Sequence, residues 1–145
     1  MKRIGQRTLE FSAPPTVLGH AAIGGKKEAQ GPLGQDFDQT FQDTSLQMES
    51  WEKAEAQLQK EAVALAIEKS GMTAQQMDMI FAGDLLNQCI SSTFGLLDFQ
   101  IPFLGQYGAC STMAQTLFMA SVMVESGAAE RAVAVTSSHF CSAER

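Results

Sequence analysis

Three cysteines and two histidines hold most of the capacity for nucleophilic or acid–base chemistry in these 145 residues. Cys110 sits in GQYGACSTMAQTL, where a turn gives way to a long apolar helix. A cysteine in the first turn of a helix faces backbone N–H groups and the positive end of the dipole, which favour thiolate over thiol. The same amides suit an oxyanion or a carboxylate. The pattern therefore fits acyl transfer to sulfur or recognition of an anion. It also fits plain packing, because a free cysteine behaves as a small buried hydrophobe and small residues let backbones approach closely.

A nucleophilic cysteine needs a base. His20 lies in the first predicted strand, and His139 follows the last one in TSSHFCSAER. In a parallel sheet both strands end on the ligand-binding edge, so His139 is a candidate to approach Cys110. Asp84 and Asn87 follow another strand on that edge, either lining a pocket or forming a turn. Cys89, Cys110 and Cys141 are odd in number and contain no CxxC pair, which argues against a disulfide framework and a structural zinc site. Met113, Met119 and Met123 read as core filler. Asp36, Asp38 and Asp43 lack calcium-loop spacing. GHAAIGG is not a GxGxxG fingerprint, and GACST departs from a GxCxG elbow at Thr112.

The elements that position these residues follow from pattern. TVLGHAAI, residues 16–23, reads as a strand between Pro14-Pro15 and Gly24-Gly25. Residues 24–43 read as one long loop. A helix starts at the cap Ser50, with Glu52 in its first turn, and stops at Gly71. Its apolar stripe runs through Ala54, Leu58, Ala62, Leu65 and Ala66, widened by Val63 and Ile67. Thr73 caps a short turn. Strands are expected over 78–84, 101–104 and 131–138, with a short Ser-capped helix over 91–98 and a helix from Cys110 to Gly127. Pro102 puts IPFL near an edge, and RAVAVTSS reads as a strand buried on both faces. The alternation predicts an α/β fold, a mostly parallel sheet covered by helices on both faces.

Length allows one modest domain. With 45% hydrophobic and 18% charged residues the chain reads as globular, and its net charge of −6 opposes binding to nucleic acid. No stretch reaches about 20 apolar residues, the length needed to span a bilayer, and the first residues lack an apolar core of signal-peptide length.

YGACSTMAQTL resembles the nucleophile turn of thiolases and ketoacyl synthases, and SGMTAQQMDMIFAGDLL resembles the region before it. More specifically, VLGHAAIGGKKEAQGPLG, FQDTSLQMESWEKAEAQLQKEA, AGDLLNQCISSTFGL and GQYGACSTMAQTL together resemble the stage V sporulation protein AD family. The resemblance implies a thiolase-like fold of two similar halves, with residues 1–145 as a single N-terminal half-domain of a longer chain. It implies a noncatalytic protein that binds dipicolinic acid (pyridine-2,6-dicarboxylate) and acts in its uptake into the developing spore. The implied partners are membrane proteins of the stage V sporulation A operon, at the cytoplasmic face of the spore inner membrane, and a second copy docked around IPFL. No cofactor or metal is implied. Cys110 carries over from the family's cysteine turn; Ser111, Thr112 and His139 complete the expected ligand-binding set. Amides at residues 110–113 are expected to hold one carboxylate of the dianion. The rival reading is a thiolase- or ketoacyl-synthase-like acyltransferase with Cys110 as nucleophile, and a third is a structural domain with no competent site.

Overall fold

The computed structural model describes residues 1–139, apart from the side chain of Asn87. Cys141 therefore lies outside the described residues. The chain opens with an antiparallel hairpin of β1 (Lys2–Ile4) and β2 (Thr8–Glu10), in which Gly5 takes a left-handed φ of 61°. Sequence pattern gives no sign of this hairpin, because every residue in both strands is exposed and no buried face alternates.

The strand predicted over 16–23 forms only at its end. Ile23–Gly24 (β3) pairs in parallel with Gln39–Thr40 (β4), while residues 16–22 run past without strand pairing. The segment between is not one loop. It contains a four-residue helix, α1 (Lys26–Ala29), and a 3₁₀ turn at Gly34–Asp36. Asp38 fixes the return: its carboxylate accepts from Lys69 Nζ at 2.7 Å and from the Ala22 N–H at 2.9 Å. The Lys69 ammonium first, and then that amide, hold Asp38 below the usual carboxylate range.

Helix α2 (Trp51–Lys69) starts where the cap predicts: Ser50 Oγ accepts from the Lys53 N–H at 3.3 Å. It ends at Gly71, whose φ of 73° only glycine adopts without cost. Its most buried stripe differs from the apolar one. Glu55, Gln59, Val63 and Ile67, each four apart, are buried along with Ala54, whereas Leu58, Ala62, Leu65 and Ala66 are half-buried. Thr73 starts a 3₁₀ turn, its N–H donating to Gln76 Oε1 at 2.8 Å.

The central sheet follows. β5 (Met79–Gly83) leads to α3 (Ile90–Gly95), β6 (Phe103–Gly105), α4 (Thr112–Glu125) and β7 (Ala132–Thr136). All pairings are parallel, in the order β6-β5-β7. Val63 and Ile67 of α2 form the core with Ile80, Ala82 and Val135 on one face, joined by Leu96 and Ile101. Helix α4 packs against β5 and β7 as well. The predicted α/β sheet with helices on both faces is thus present. Two details differ. The short helix starts at Ile90 rather than at a serine cap, following Gln88 and Cys89, which are both left-handed. Among the described residues β7 is an edge strand and mostly half-buried, not buried throughout, because no described strand pairs with its side away from β5.

Candidate functional site: the Cys110 turn

Cys110 is exposed at the head of α4. It lies not in the first turn of the α-helix, as the sequence predicts, but in a 3₁₀ turn of Ala109–Ser111 ahead of it, and the α-helix begins at Thr112. Ala109 supplies the sharp entry with a left-handed φ of 49°, an unusual conformation for a residue with a Cβ. Such strain persists only where surrounding contacts impose it, and several do. Ser111 Oγ donates to Gly108 O at 2.7 Å. Thr112, fully buried, donates from Oγ1 to Ala109 O at 2.8 Å and accepts from the Gly108 N–H at 3.2 Å. The backbone N–H groups of Ser111 and Thr112 donate to Gly108 O and Ala109 O. Of the amides at 110–113, those two are therefore committed to the turn, and both hydroxyls hold its shape.

The turn is seated on the end of β5. A Cβ on Gly83 would stand 2.0 Å from Gln106 O and 2.6 Å from Thr112 Cγ2. Gln106 in turn donates its N–H to Ala82 O at 2.8 Å. Cys89 reaches the same place from the β5–α3 loop, its Sγ donating to Gln106 O at 3.3 Å. Burial pushes the Cys89 thiol above its ordinary value. Sequence reading missed this second, buried cysteine at the turn; it sits in a left-handed pair with Gln88 that no local sequence pattern marks.

Asp84, fully buried, forms its own loop. It accepts from the Leu86 N–H at 2.9 Å, the Ser92 N–H at 2.8 Å and Ser92 Oγ at 2.6 Å. Of the two readings for Asp84, turn formation is the one that these bonds describe. Asn87 lies in the following 3₁₀ turn, and its side chain is outside the described residues. His20 is exposed on the unpaired segment before β3. His139 is buried; its Nε2 sits 2.7 Å from Thr44 O and its ring lies 5.4 Å from that of Trp51. Just before it, Ser137 Oγ donates to Glu55 at 3.0 Å and meets Gln59 Nε2 at 3.2 Å, and Gln59 also donates to Gly83 O at 3.2 Å. This polar cluster ties α2 to the ends of β5 and β7, the edge that also carries the Cys110 turn.

Several apolar or aromatic side chains are exposed on the segment that carries Cys110 and on its neighbours. Tyr107, Met113, Leu117 and Phe118 are exposed, as are Leu104 on β6 and Phe94 and Leu97 beside it. No described helix is long and apolar enough to cross a membrane.

A parallel sheet between helices, with a cysteine turn at the head of the helix after its edge strand, defines a thiolase-like fold. The crystal structure of 3-oxoacyl-[acyl-carrier-protein] synthase III from Aquifex aeolicus VF5 superposes with a TM-score of 0.54 at 15% identity, covering 59% of this chain and 30% of that one. The chain belongs to the stage V sporulation protein AD (SpoVAD) family, whose model matches residues 5–145. It is 43% identical over its whole length to Stage V sporulation protein AD of Bacillus subtilis (strain 168), and it spans 43% of that relative's length.

Proposed function

We propose that this chain forms the cysteine-turn part of a sporulation protein that binds dipicolinate for uptake into the developing spore, without turning it over. The observation that carries this reading is the make-up of the Cys110 turn. The thiol is exposed at the head of α4, within a turn whose backbone and hydroxyls are fixed by their own hydrogen bonds. The hydroxyls of Ser111 and Thr112 are turned back on the backbone. His139 is held against Thr44 and Trp51. A turn of this kind suits a planar anion: the start of α4 offers a local positive field that the chain's net charge of −6 does not. Tyr107 and Met113, both exposed, offer apolar walls for the ring. On this reading Cys110 meets the ligand, Ser111 and Thr112 hold the turn, and His139 belongs to the binding set.

The same reading puts the protein at the cytoplasmic face of the spore inner membrane, working with membrane proteins of the stage V sporulation A operon. A homodimer is supported by the free edge of β6 and by the exposed Leu104, Phe94 and Leu97 around it.

The test is calorimetric titration of dipicolinate into the full-length protein, with acetyl-CoA in a parallel cell. Saturable dipicolinate binding, weakened in Cys110→Ala and with no adduct by intact mass, is the expected result. Acylation of Cys110 by acetyl-CoA without dipicolinate binding makes the protein a condensing enzyme and overturns the proposal.

A further inference from the structure

Every residue from Met1 to Glu10 is exposed, so the β1–β2 hairpin covers no part of the core. A two-stranded hairpin with no buried face is marginal in water. This one is nevertheless held in shape. Glu125, the last residue of α4, fixes its base through the Met1 ammonium at 2.7 Å and the Ser12 N–H at 2.8 Å. At the other end the Arg3 guanidinium braces the turn, donating to Gly5 O at 3.4 Å and to Gln6 O.

Its charge runs against that of the chain. Three of the ten lysines and arginines, Lys2, Arg3 and Arg7, fall in the first seven residues of a chain whose net charge is −6. Glu10 stands opposite Lys2 at the base of the ladder. The outer end is left to Arg3, Arg7, Ile4 and Leu9, all exposed and none acidic. The register puts Arg3 and Leu9 opposite each other on one face, and Ile4 opposite Thr8 on the other. An aliphatic side chain thus projects from each face of the ribbon. A protein surface meets one face of a ribbon, whereas a lipid boundary entered end-on takes up both.

We infer that the outer end of the β1–β2 hairpin is a contact for an anionic lipid surface. Arg3 and Arg7 reach the phosphates, for which a guanidinium is well shaped, while Ile4 and Leu9 enter the boundary beneath them. At physiological salt the Debye length is about 8 Å, so acids farther than that from the surface add little repulsion. Helix α4 has 14 residues, and at the usual helical rise its two ends stand about 20 Å apart. The hairpin is tied to one end and the Cys110 turn lies at the other, so docking through the hairpin leaves Cys110 open. The inference rests on the membrane placement proposed above and adds to it a contact with the lipid itself. It is independent of what the Cys110 turn binds.

The experiment is co-sedimentation of the full-length protein, untagged at its N-terminus, with protein-free vesicles. One set mixes phosphatidylglycerol and phosphatidylcholine in equal parts, and the other is phosphatidylcholine alone. The expected result is binding to the anionic set only, weakened by added salt. A basic residue at an anionic surface is worth roughly a factor of five in partition, so Arg3→Gln, Arg7→Gln should lower it about 30-fold. Ile4→Ser, Leu9→Ser should lower it as well. No binding to anionic vesicles overturns the inference, and so does equal binding to both sets or a double arginine variant that binds like wild type. Binding of poly-glutamate without binding of vesicles makes the partner an acidic protein segment and overturns it equally. If the arginine variant does not fold, the Ile4→Ser, Leu9→Ser variant decides. Because the vesicles hold neither membrane proteins nor dipicolinate, failure here leaves the proposed function to its own titration.

Discussion

Gly83 and Gln106 touch backbone to backbone: a Cβ at position 83 would lie 2.0 Å from the Gln106 carbonyl oxygen. That contact joins the end of β5 to the segment leading into the Cys110 turn, and no side chain can yield to relieve it. Gly83→Ala is expected to destabilise the fold by about 1–3 kcal/mol, the usual cost of forcing atoms into a packed site. It should also displace the turn. Chemical denaturation measures the first effect, and the rate at which iodoacetamide alkylates Cys110 measures the second.

Thr112 holds the turn through a hydroxyl that both gives and receives a hydrogen bond. Thr112→Val keeps the shape but strands the Gly108 N–H, a loss of about 1–3 kcal/mol. Thr112→Ser retains the hydroxyl and should lose much less. If valine is as stable as serine by denaturant melt, the turn does not depend on this hydroxyl.

The two described cysteines should separate by reactivity. Cys110 is exposed, whereas Cys89 is buried, its thiol raised by that burial. In a Cys141→Ala background at neutral pH, iodoacetamide should modify one site quickly and the second only on unfolding or at strongly alkaline pH. Peptide mapping tells which residue reacts. Fast labelling of Cys89 contradicts its placement against Gln106.

Glu125 anchors the N-terminal hairpin to the end of α4. Its carboxylate lies 2.7 Å from the Met1 amino group and accepts from the Ser12 and Ala13 N–H groups at 2.8 and 3.2 Å. The Met1 ammonium first, and then the Ser12 amide, depress its pKa from 4.5 to about 2. A depressed carboxylate contributes stability that is full above its unfolded value and is lost as pH falls through the folded one. Stability should therefore decline between pH 4.5 and about 2. Glu125→Gln should flatten that part of the acid limb, and a tag ahead of Met1 should do the same. An acid limb identical in wild type and Glu125→Gln would rule the anchor out.

Ser137 joins Glu55 and Gln59 beneath the sheet edge. Ser137→Ala should cost about 1–3 kcal/mol by removing a partner from two buried polar side chains. Gln59 Oε1 has no hydrogen-bond partner among the described residues, so Gln59→Met should cost less than the loss of its two donated bonds suggests. A double-mutant cycle between positions 59 and 137 measures the coupling.

What the sequence reveals depends on how local each feature is. Helix α2 is legible because its cap, first-turn acid and stop glycine are all encoded within the helix itself. β5 and β7 are legible as apolar runs between turn signals. The parallel α/β class follows from their alternation with helices. Residues 16–22 mislead because an apolar run states that something must cover it, not what pairs with it. α1 and β4 are too short for any period to register. The Cys110 turn starts α4 two residues late because hydroxyls at 111 and 112 bond backwards into a 3₁₀ turn, a choice that competes evenly with a helical start. Glu55 and Gln59 sit on the buried stripe because of Ser137, a residue that lies far away along the chain. His139 goes to Thr44 for the same kind of reason, and strand order alone does not forecast it.

Trp51 is the only tryptophan in the chain, and it stands against His139. Excited at wavelengths that Tyr107 does not absorb, this chain thus has one emitting indole, set between the first turn of α2 and the segment that leaves β7. Its emission reports on that junction alone. Withdrawal of the imidazole changes both quenching and solvent exposure of the indole, so the spectrum reads out motion at the sheet edge without any label. Added ligand can be followed in the same cuvette, and a signal confined to this junction separates a local rearrangement from global melting.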